Sequence, residues 1–505
     1  MSTAYDTAWV ARLCEFDEPI GKQSLNWIRE NQLPDGSWGA SYPHYSHDRF
    51  ISTLAAMVAL TRWGNDNDQV RIQRALPAMD RAARGLPADE GGETVGFEMI
   101  VPTLLREAKS LGIIRRQNDV DLPSLVYSGG RSPLKQTGNV SKLDFLSKFQ
   151  AKREAKLQAL SRLKINRHVT IAFSAEMAGT DGIHLLDIPN LQESNGSVGH
   201  SPSATAYYLL HIKPQDPAAL KYIRQVIQEN DDEGGAPNVA PFDTFEQAWS
   251  LWNLALPGGL DQKTLALCQP HLDFLQKSWV PGKGIGFASE YTPKDGDDTG
   301  LIFDVLTRYG RTVDVEAVLR YERESHFECF AIETSPSISA NIHILGALHA
   351  AGLGATSPSV QKIIHFLKNS RRLDAFWFDK WHASPYYPTS HAIIAHQQDK
   401  NNLHQVACQT AVDWLISTQK QNGSWGYYGP TAEETAYALQ ALFVWKRMGH
   451  HIPIEILKRG LGWLAANHEP PHPPLWIGKC LYSPRTVVRS AILSALIFGS
   501  QENIL

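Results

Sequence analysis

Cysteine is what this sequence has little of. Five (Cys14, Cys268, Cys329, Cys408 and Cys480) are scattered over 505 residues, and no two form a C-x-x-C pair. That excludes a disulfide-stapled or zinc-ribbon framework and reads as buried, reduced thiols in a cytoplasmic protein. Long apolar runs are absent too. Thr53-Leu54-Ala55-Ala56-Met57-Val58-Ala59-Leu60 is typical of the longest, well short of the ~20 residues that cross a bilayer, so no membrane span is expected. No basic block interrupts a formal net charge of −4, which argues against a nucleic-acid partner. The opening Met1-Ser2-Thr3-Ala4-Tyr5-Asp6 has neither the basic nor the apolar region of a signal peptide. Segments that alternate polar and apolar residues are sparse, so little β-structure is expected.

What is present is bulk and repetition. The chain is 43% hydrophobic, with 14 Trp, 16 Tyr and 18 Phe. At roughly 100–200 residues per domain, this suggests two or three domains with ample core. Gln32-Leu33-Pro34-Asp35-Gly36-Ser37-Trp38 recurs as Gln419-Lys420-Gln421-Asn422-Gly423-Ser424-Trp425, and Gln192-Glu193-Ser194-Asn195-Gly196-Ser197 is a copy without its Trp. Each copy reads as a helix end, a polar turn with Gly, and the start of another helix. The expected class is all-α, built from repeated helical hairpins.

One short stretch carries chemistry. In Lys294-Asp295-Gly296-Asp297-Asp298-Thr299-Gly300, three aspartates fall within four positions just before the apolar run Leu301-Ile302-Phe303. Crowded carboxylates repel when ionised, so one tends to keep its proton near neutral pH. A retained proton can be donated to a weak base. In an arbitrary protein, clusters of this kind more often cap helices or bind calcium at a surface.

The D-x-D-D spacing followed by Thr resembles the proton-donor motif of class II terpene cyclases, and the repeats resemble the QW motifs of the same enzymes. Further landmarks follow in order: Ser2-Thr3-Ala4-Tyr5-Asp6-Thr7-Ala8-Trp9, Asp48-Arg49, Val95-Gly96-Phe97-Glu98, Ser201-Pro202-Ser203-Ala204-Thr205-Ala206, Ala236-Pro237-Asn238-Val239 with Phe245-Glu246-Gln247-Ala248-Trp249, and Asp379-Lys380-Trp381. Together they resemble bacterial class II diterpene cyclases of the halimadienyl, kolavenyl and copalyl diphosphate synthase kind. The resemblance implies two α/α-barrel domains: a β domain of residues 1–20 plus 265–505, carrying the Asp motif, and an inserted γ domain of residues 21–264. It also implies an intramolecular lyase of the isomerase class that acts on geranylgeranyl diphosphate, a small-molecule isoprenoid diphosphate. Such a protein would be cytoplasmic, a monomer or homodimer, with a downstream class I synthase or phosphatase.

Residue by residue, the resemblance makes Asp297 the acid that protonates the terminal alkene, with Asp295 and Asp298 orienting it. Asn341 corresponds to an asparagine that hydrogen-bonds the donor carboxyl. Glu93 and Glu98 stand at the family's acidic magnesium motif, making Mg²⁺ the expected cofactor, and Lys164 and Arg167 stand in its diphosphate-binding region. Among the aromatics Phe376, Trp377, Trp381, Tyr386 and Tyr387, Trp381 is taken for product control. Asn238 matches one half of a water-holding base dyad, and Phe173 stands where relatives have the histidine. Loss of that base favours a rearranged clerodane or halimane (kolavenyl or halimadienyl) diphosphate, the alternative being unrearranged copalyl diphosphate. The D-D-x-x-D motif of class I synthases is missing, since Asp231-Asp232-Glu233-Gly234-Gly235 lacks the last Asp, so the diphosphate should be retained. A zinc prenyltransferase subunit would need a Cys/His/Asp constellation, and a non-catalytic toroid would have no use for the crowded aspartates.

Overall fold

The structure, a computed structural model, describes residues 1–114, 143–159, 164–230, 232–331, 333, 335–396 and 405–504; Asp231 lies outside them. The expected all-α class holds. Among the described residues the one strand pair is Trp476–Ile477 with Leu481–Tyr482, antiparallel. The chain forms two compact units, Met1–Pro241 with Trp476–Tyr482, and Phe242–Leu475 with Ser483–Leu505. The family pattern groups residues 1–20 with the C-terminal half. By compactness they lie in the first unit, where the wholly buried helix Ala4–Ala11 packs on Ser46–Trp63 and Pro202–His211.

The second unit closes on itself. Asp243–Ala255 packs on Gly296–Arg308, which packs on Ile338–Ala350, then Tyr386–His396, Ala432–Arg447 and Arg485–Gln501, and the last returns to Asp243–Ala255. The helices Gln262–Ser278, Pro358–Asn369, Gln405–Ser417 and Ile454–Ala466 pack outside that ring. This is an α/α toroid. Ile338–Ala350 is buried from Ile338 through Leu348, whereas the outer Pro358–Asn369 buries Val360, Ile363 and Leu367, one stripe of an amphipathic helix.

The repeated turns share one geometry, whose local chemistry explains the motif. Gln32 Nε2 donates to the Gly36 carbonyl within its turn and to Arg71 O on another helix, both at 2.9 Å. Gln419 does the same with Gly423 and Ile456, at 2.9 and 2.8 Å. Trp38 and Trp425 donate their indole N–H to Ile28 O and Leu415 O, each at 2.7 Å. A threonine on the following helix then accepts the N–H that leaves the turn: Thr53 from Trp38, Thr205 from Val198, Thr299 from Ile285, Thr389 from Trp377 and Thr435 from Trp425, at 2.9–3.1 Å. The Thr299 of the Asp motif is therefore a repeat position, and the three aspartates ride on the first turn of one repeat's inner helix.

Candidate active site

The Asp motif is built as a helix start. Asp295 is the N-cap of Gly296–Arg308, its carboxylate accepting the Asp298 N–H at 2.8 Å. Its role is thus first to terminate the helix, and Asp297 projects from the first turn. Glycine is required at Gly300, because a Cβ there would lie 2.9 Å from the Ile344 nitrogen and 3.0 Å from the His343 carbonyl carbon. That close approach brings the Ile338–Ala350 helix against the acid.

Two side chains of that helix reach Asp297. Ser339 Oγ donates to Oδ2 at 2.9 Å, and His343 Nδ1 stands 2.5 Å from Oδ1. The far nitrogen of His343, Nε2, is 2.9 Å from Nδ1 of His391. Ser339 is itself set by the helix N-terminus, where Asp379 Oδ1 accepts the N–H of Ile338 and of Ser339 at 2.9 and 3.1 Å.

Burial decides the charges. Asp295, Asp298 and Asp297 are 1%, 6% and 8% exposed, so Asp297 is the most accessible of the three. Loss of solvent pushes Asp295 up to about 7 and holds Asp298 well above the usual carboxylate range, with mutual repulsion adding to both. Among the described residues Asp295 Oδ2 and Asp298 Oδ1 have no hydrogen-bond partner, which favours protonated carboxyls over two buried anions. A carboxylate left at Asp297 would face the positive end of a helix dipole and accept from Ser339 and His343. The arrangement can thus release a proton and stabilise the anion that remains.

Asn341 is not a partner of Asp297. Its Oδ1 accepts the Phe327 N–H at 2.9 Å, and its Nδ2 donates to Phe327 O and Ser337 O, each at 2.8 Å. It ties down the segment whose Cys329 carbonyl accepts the Gly296 N–H at 2.9 Å, and so supports the motif through the backbone. His343, Ser339 and His391 were missed in the sequence. The available signal was the spacing of Ser339 and His343, four apart and hence on one helix face.

Of the aromatic group, Tyr387 alone joins this neighbourhood, its ring 4.3 Å from His391 and its hydroxyl accepting from Trp249 Nε1 at 3.0 Å. Phe376 and Tyr386 stack on Trp414, and Trp377 donates to Leu367 O as the repeat tryptophans do. Trp381 lies beside Asp379, whose Oδ2 accepts its backbone N–H at 3.2 Å, with Lys380 Nζ 5.0 Å from its ring centre.

In the first unit, Phe173 and Asn238 meet a buried network. The turn between the two short strands delivers Lys479, fully buried, whose Nζ lies 2.6 Å from Glu176 Oε1 and 2.7 Å from the hydroxyls of Ser201 and Ser203. The Phe173 ring centre is 4.5 Å from that ammonium. Asn238 Nδ2 donates to Asp6 Oδ2 at 3.1 Å. Asp6 Oδ1 in turn receives the Ser203 N–H at 3.3 Å. Burial raises Asp6 to about 6. Phe173 and Asn238 are thus linked through Lys479, Ser203 and Asp6.

The expected metal and diphosphate residues stand elsewhere in this unit. Glu93 pairs with Lys152 at 2.5 Å, and Glu98, buried in the first turn of Phe97–Ser110, pairs with Lys156. Carboxylate oxygen suits magnesium, but each carboxylate is already neutralised by a lysine. No group of three potential ligands occurs among the described residues. The donor set as it stands does not fit a divalent ion. Lys164 is exposed, and Arg167 donates to the Gln192 carbonyl at 3.4 Å. No described helix is long and apolar enough to cross a membrane.

Comparison with known proteins bears on the family. The model of the squalene-hopene cyclase C-terminal domain matches residues 328–472. The chain is 43% identical to a type B diterpene cyclase of Mycobacterium tuberculosis, with 99% of this chain and 96% of that one covered. It is 29% identical to a (+)-kolavenyl diphosphate synthase of Herpetosiphon aurantiacus, covering 98% and 93%. An ent-copalyl diphosphate synthase from Streptomyces platensis shares the fold, with a TM-score of 0.76 at 27% identity over 99% of this chain and 95% of that one. The chain belongs to the class II diterpene cyclases. It is accordingly an enzyme of the intramolecular lyase type.

Proposed function

We propose that this cyclase takes geranylgeranyl diphosphate, protonates its terminal alkene from Asp297, and releases a bicyclic diterpenyl diphosphate with the diphosphate intact. The observation that carries this reading is the seat of Asp297: the most accessible carboxyl of a buried trio, held by Ser339 and His343. An alkene is so weak a base that its protonation needs a preorganised, poorly hydrated acid. Asp295 caps the helix that presents Asp297, and Asp298 stays protonated beside it, adding no second negative charge.

Retention of the diphosphate is supported by the missing D-D-x-x-D motif. Magnesium enters this proposal only as a counter-ion of the substrate, because Glu93 and Glu98 hold lysines. The product proposed is a rearranged halimadienyl or kolavenyl diphosphate. Phe173 offers no lone pair to remove a proton from the first bicyclic cation, so hydride and methyl shifts can run on. A product that keeps its diphosphate calls for a following reaction that ionises or hydrolyses it. The test is incubation of purified protein with geranylgeranyl diphosphate and Mg²⁺, dephosphorylation, and identification of the alcohol by mass spectrometry and NMR. A bicyclic alcohol with a migrated methyl group is expected; unrearranged copalol would leave the class intact and overturn the product.

A further inference from the structure

We infer that His391, which stands one ring removed from the acid, decides which oxygen of Asp297 carries the proton. The inference rests on Asp297 being the acid and extends that reading to a residue behind it.

The argument is hydrogen-bond accounting along three groups. His391 is 2% exposed, stacked on Trp252 at 4.4 Å and 4.3 Å from the ring of Tyr387. Burial and the nearby His343 and His382 hold its pKa well below the usual histidine range, so it is neutral and carries one N–H. Among the described residues its Nε2 has no hydrogen-bond partner. The small cavity of about 10 Å³ that it lines offers Asp304, whose oxygens already accept from Trp252 Nε1 at 3.0 Å and Arg308 Nε at 2.9 Å. A proton on Nε2 would be a buried donor without an acceptor, whereas a bare lone pair there costs less. The proton therefore belongs on Nδ1, where it is donated to His343 Nε2 at 2.9 Å.

That assignment propagates. His343 Nε2 is an acceptor, so the proton of His343 sits on Nδ1 and is donated to Asp297 Oδ1 at 2.5 Å. An imidazolium at His343 would donate from Nε2 instead and drive the His391 proton back onto its partnerless nitrogen. With Oδ1 accepting, the acid proton of Asp297 is placed on Oδ2, whose one hydrogen-bond neighbour among the described residues is the rotatable Ser339 hydroxyl at 2.9 Å. Without the His391 donor, His343 is free to move its proton to Nε2. Its bare Nδ1 would then draw the Asp297 proton to Oδ1 and hold it against the ring. His391 is thus a positioning residue that touches neither substrate nor the reacting atoms.

The experiment has two readouts. Ring-nitrogen NMR of the ¹⁵N-histidine-labelled full chain at pH 7 is expected to show His343 in the Nδ1–H form, assigned by loss of its signals in His343→Asn. Finding His343 as Nε2–H or as imidazolium overturns the inference, needs no substrate, and leaves Asp297 as the acid untouched. With geranylgeranyl diphosphate as probe, His391→Phe should lose about tenfold to a hundredfold in kcat at unchanged KM. His391→Gln, which keeps an N–H donor, should recover most of it. A His391→Phe enzyme that turns over at the wild-type rate overturns the inference as well. If His391→Phe fails to fold, the wild-type nitrogen spectrum remains decisive.

Discussion

Nδ1 of His343 lies 2.5 Å from Oδ1 of Asp297, on the neighbouring inner helix and 46 residues along the chain. This contact separates the acid from its two neighbours. Asp295 is spent on capping and Asp298 is sealed by burial, while Asp297 has a ring nitrogen at hydrogen-bond distance that can stabilise the carboxylate left after proton release. It also separates His343 from Asn341, which acts on backbone.

Replacing Asp297 by Asn should therefore abolish cyclisation, by a factor of about 10³ or more. An amide has no acidic proton, and removing charge from a buried cluster should leave the fold intact. Product formation from geranylgeranyl diphosphate, with circular dichroism as the folding control, checks this. Turnover near the wild-type rate would remove Asp297 from its role.

Asn341→Ala and His343→Phe should fail in different ways. Loss of Asn341 strands the N–H and carbonyl of Phe327 and should cost about 1–3 kcal/mol of stability, read as a lower Tm with residual kcat. His343→Phe should keep Tm within a few degrees and lose about a hundredfold in kcat. Asn341→Ala that folds as well as the wild type and loses all turnover would make Asn341 the acid's partner after all.

Stability should fall as pH rises through neutrality. Burial lifts Asp295 to about 7 in the folded chain, against about 3.9 when unfolded. Between these values the folded state binds the extra proton, so this contribution is fully present below pH ~4 and is lost as pH rises through ~7. Asp295→Asn keeps a capping side chain but does not titrate. Its Tm should decline less than the wild type's between pH 5 and 8, as measured by calorimetry. Identical slopes would mean that Asp295 is not held protonated.

Phe173→His places an imidazole beside the Lys479 ammonium, in the network that contains Asn238. A nearby cation disfavours imidazolium, so the ring should be neutral and able to accept a proton. Early deprotonation should then compete with the shifts, and labdane-type diphosphate should appear among the products. An unaltered product ratio in an active variant would make Phe173 ordinary packing.

The legible part of this molecule was local. D-x-D-D, the Gln and Trp of the turns, and the helical pattern each lie within about ten residues, and the toroid follows from their repetition. The partners of the site were not legible, because tertiary packing supplies them. His391 meets His343 across 48 residues, and Lys479 reaches Glu176 across 303. The family resemblance assigns Asn341 to the acid, and in the sequence it stands two residues from both Ser339 and His343. On the helix, Ser339 and His343 share the face that looks at Asp297, and Asn341 lies on another.

The central claim is that a solvent-exchangeable proton on Asp297 starts the reaction and the diphosphate stays. The most direct measurement is turnover of geranylgeranyl diphosphate in D₂O, with mass spectrometry of the intact product and a pyrophosphate assay on the same sample. The account predicts one carbon-bound deuterium per product molecule, a product that still bears its diphosphate, and no pyrophosphate. Stoichiometric pyrophosphate with no deuterium in the hydrocarbon would contradict it.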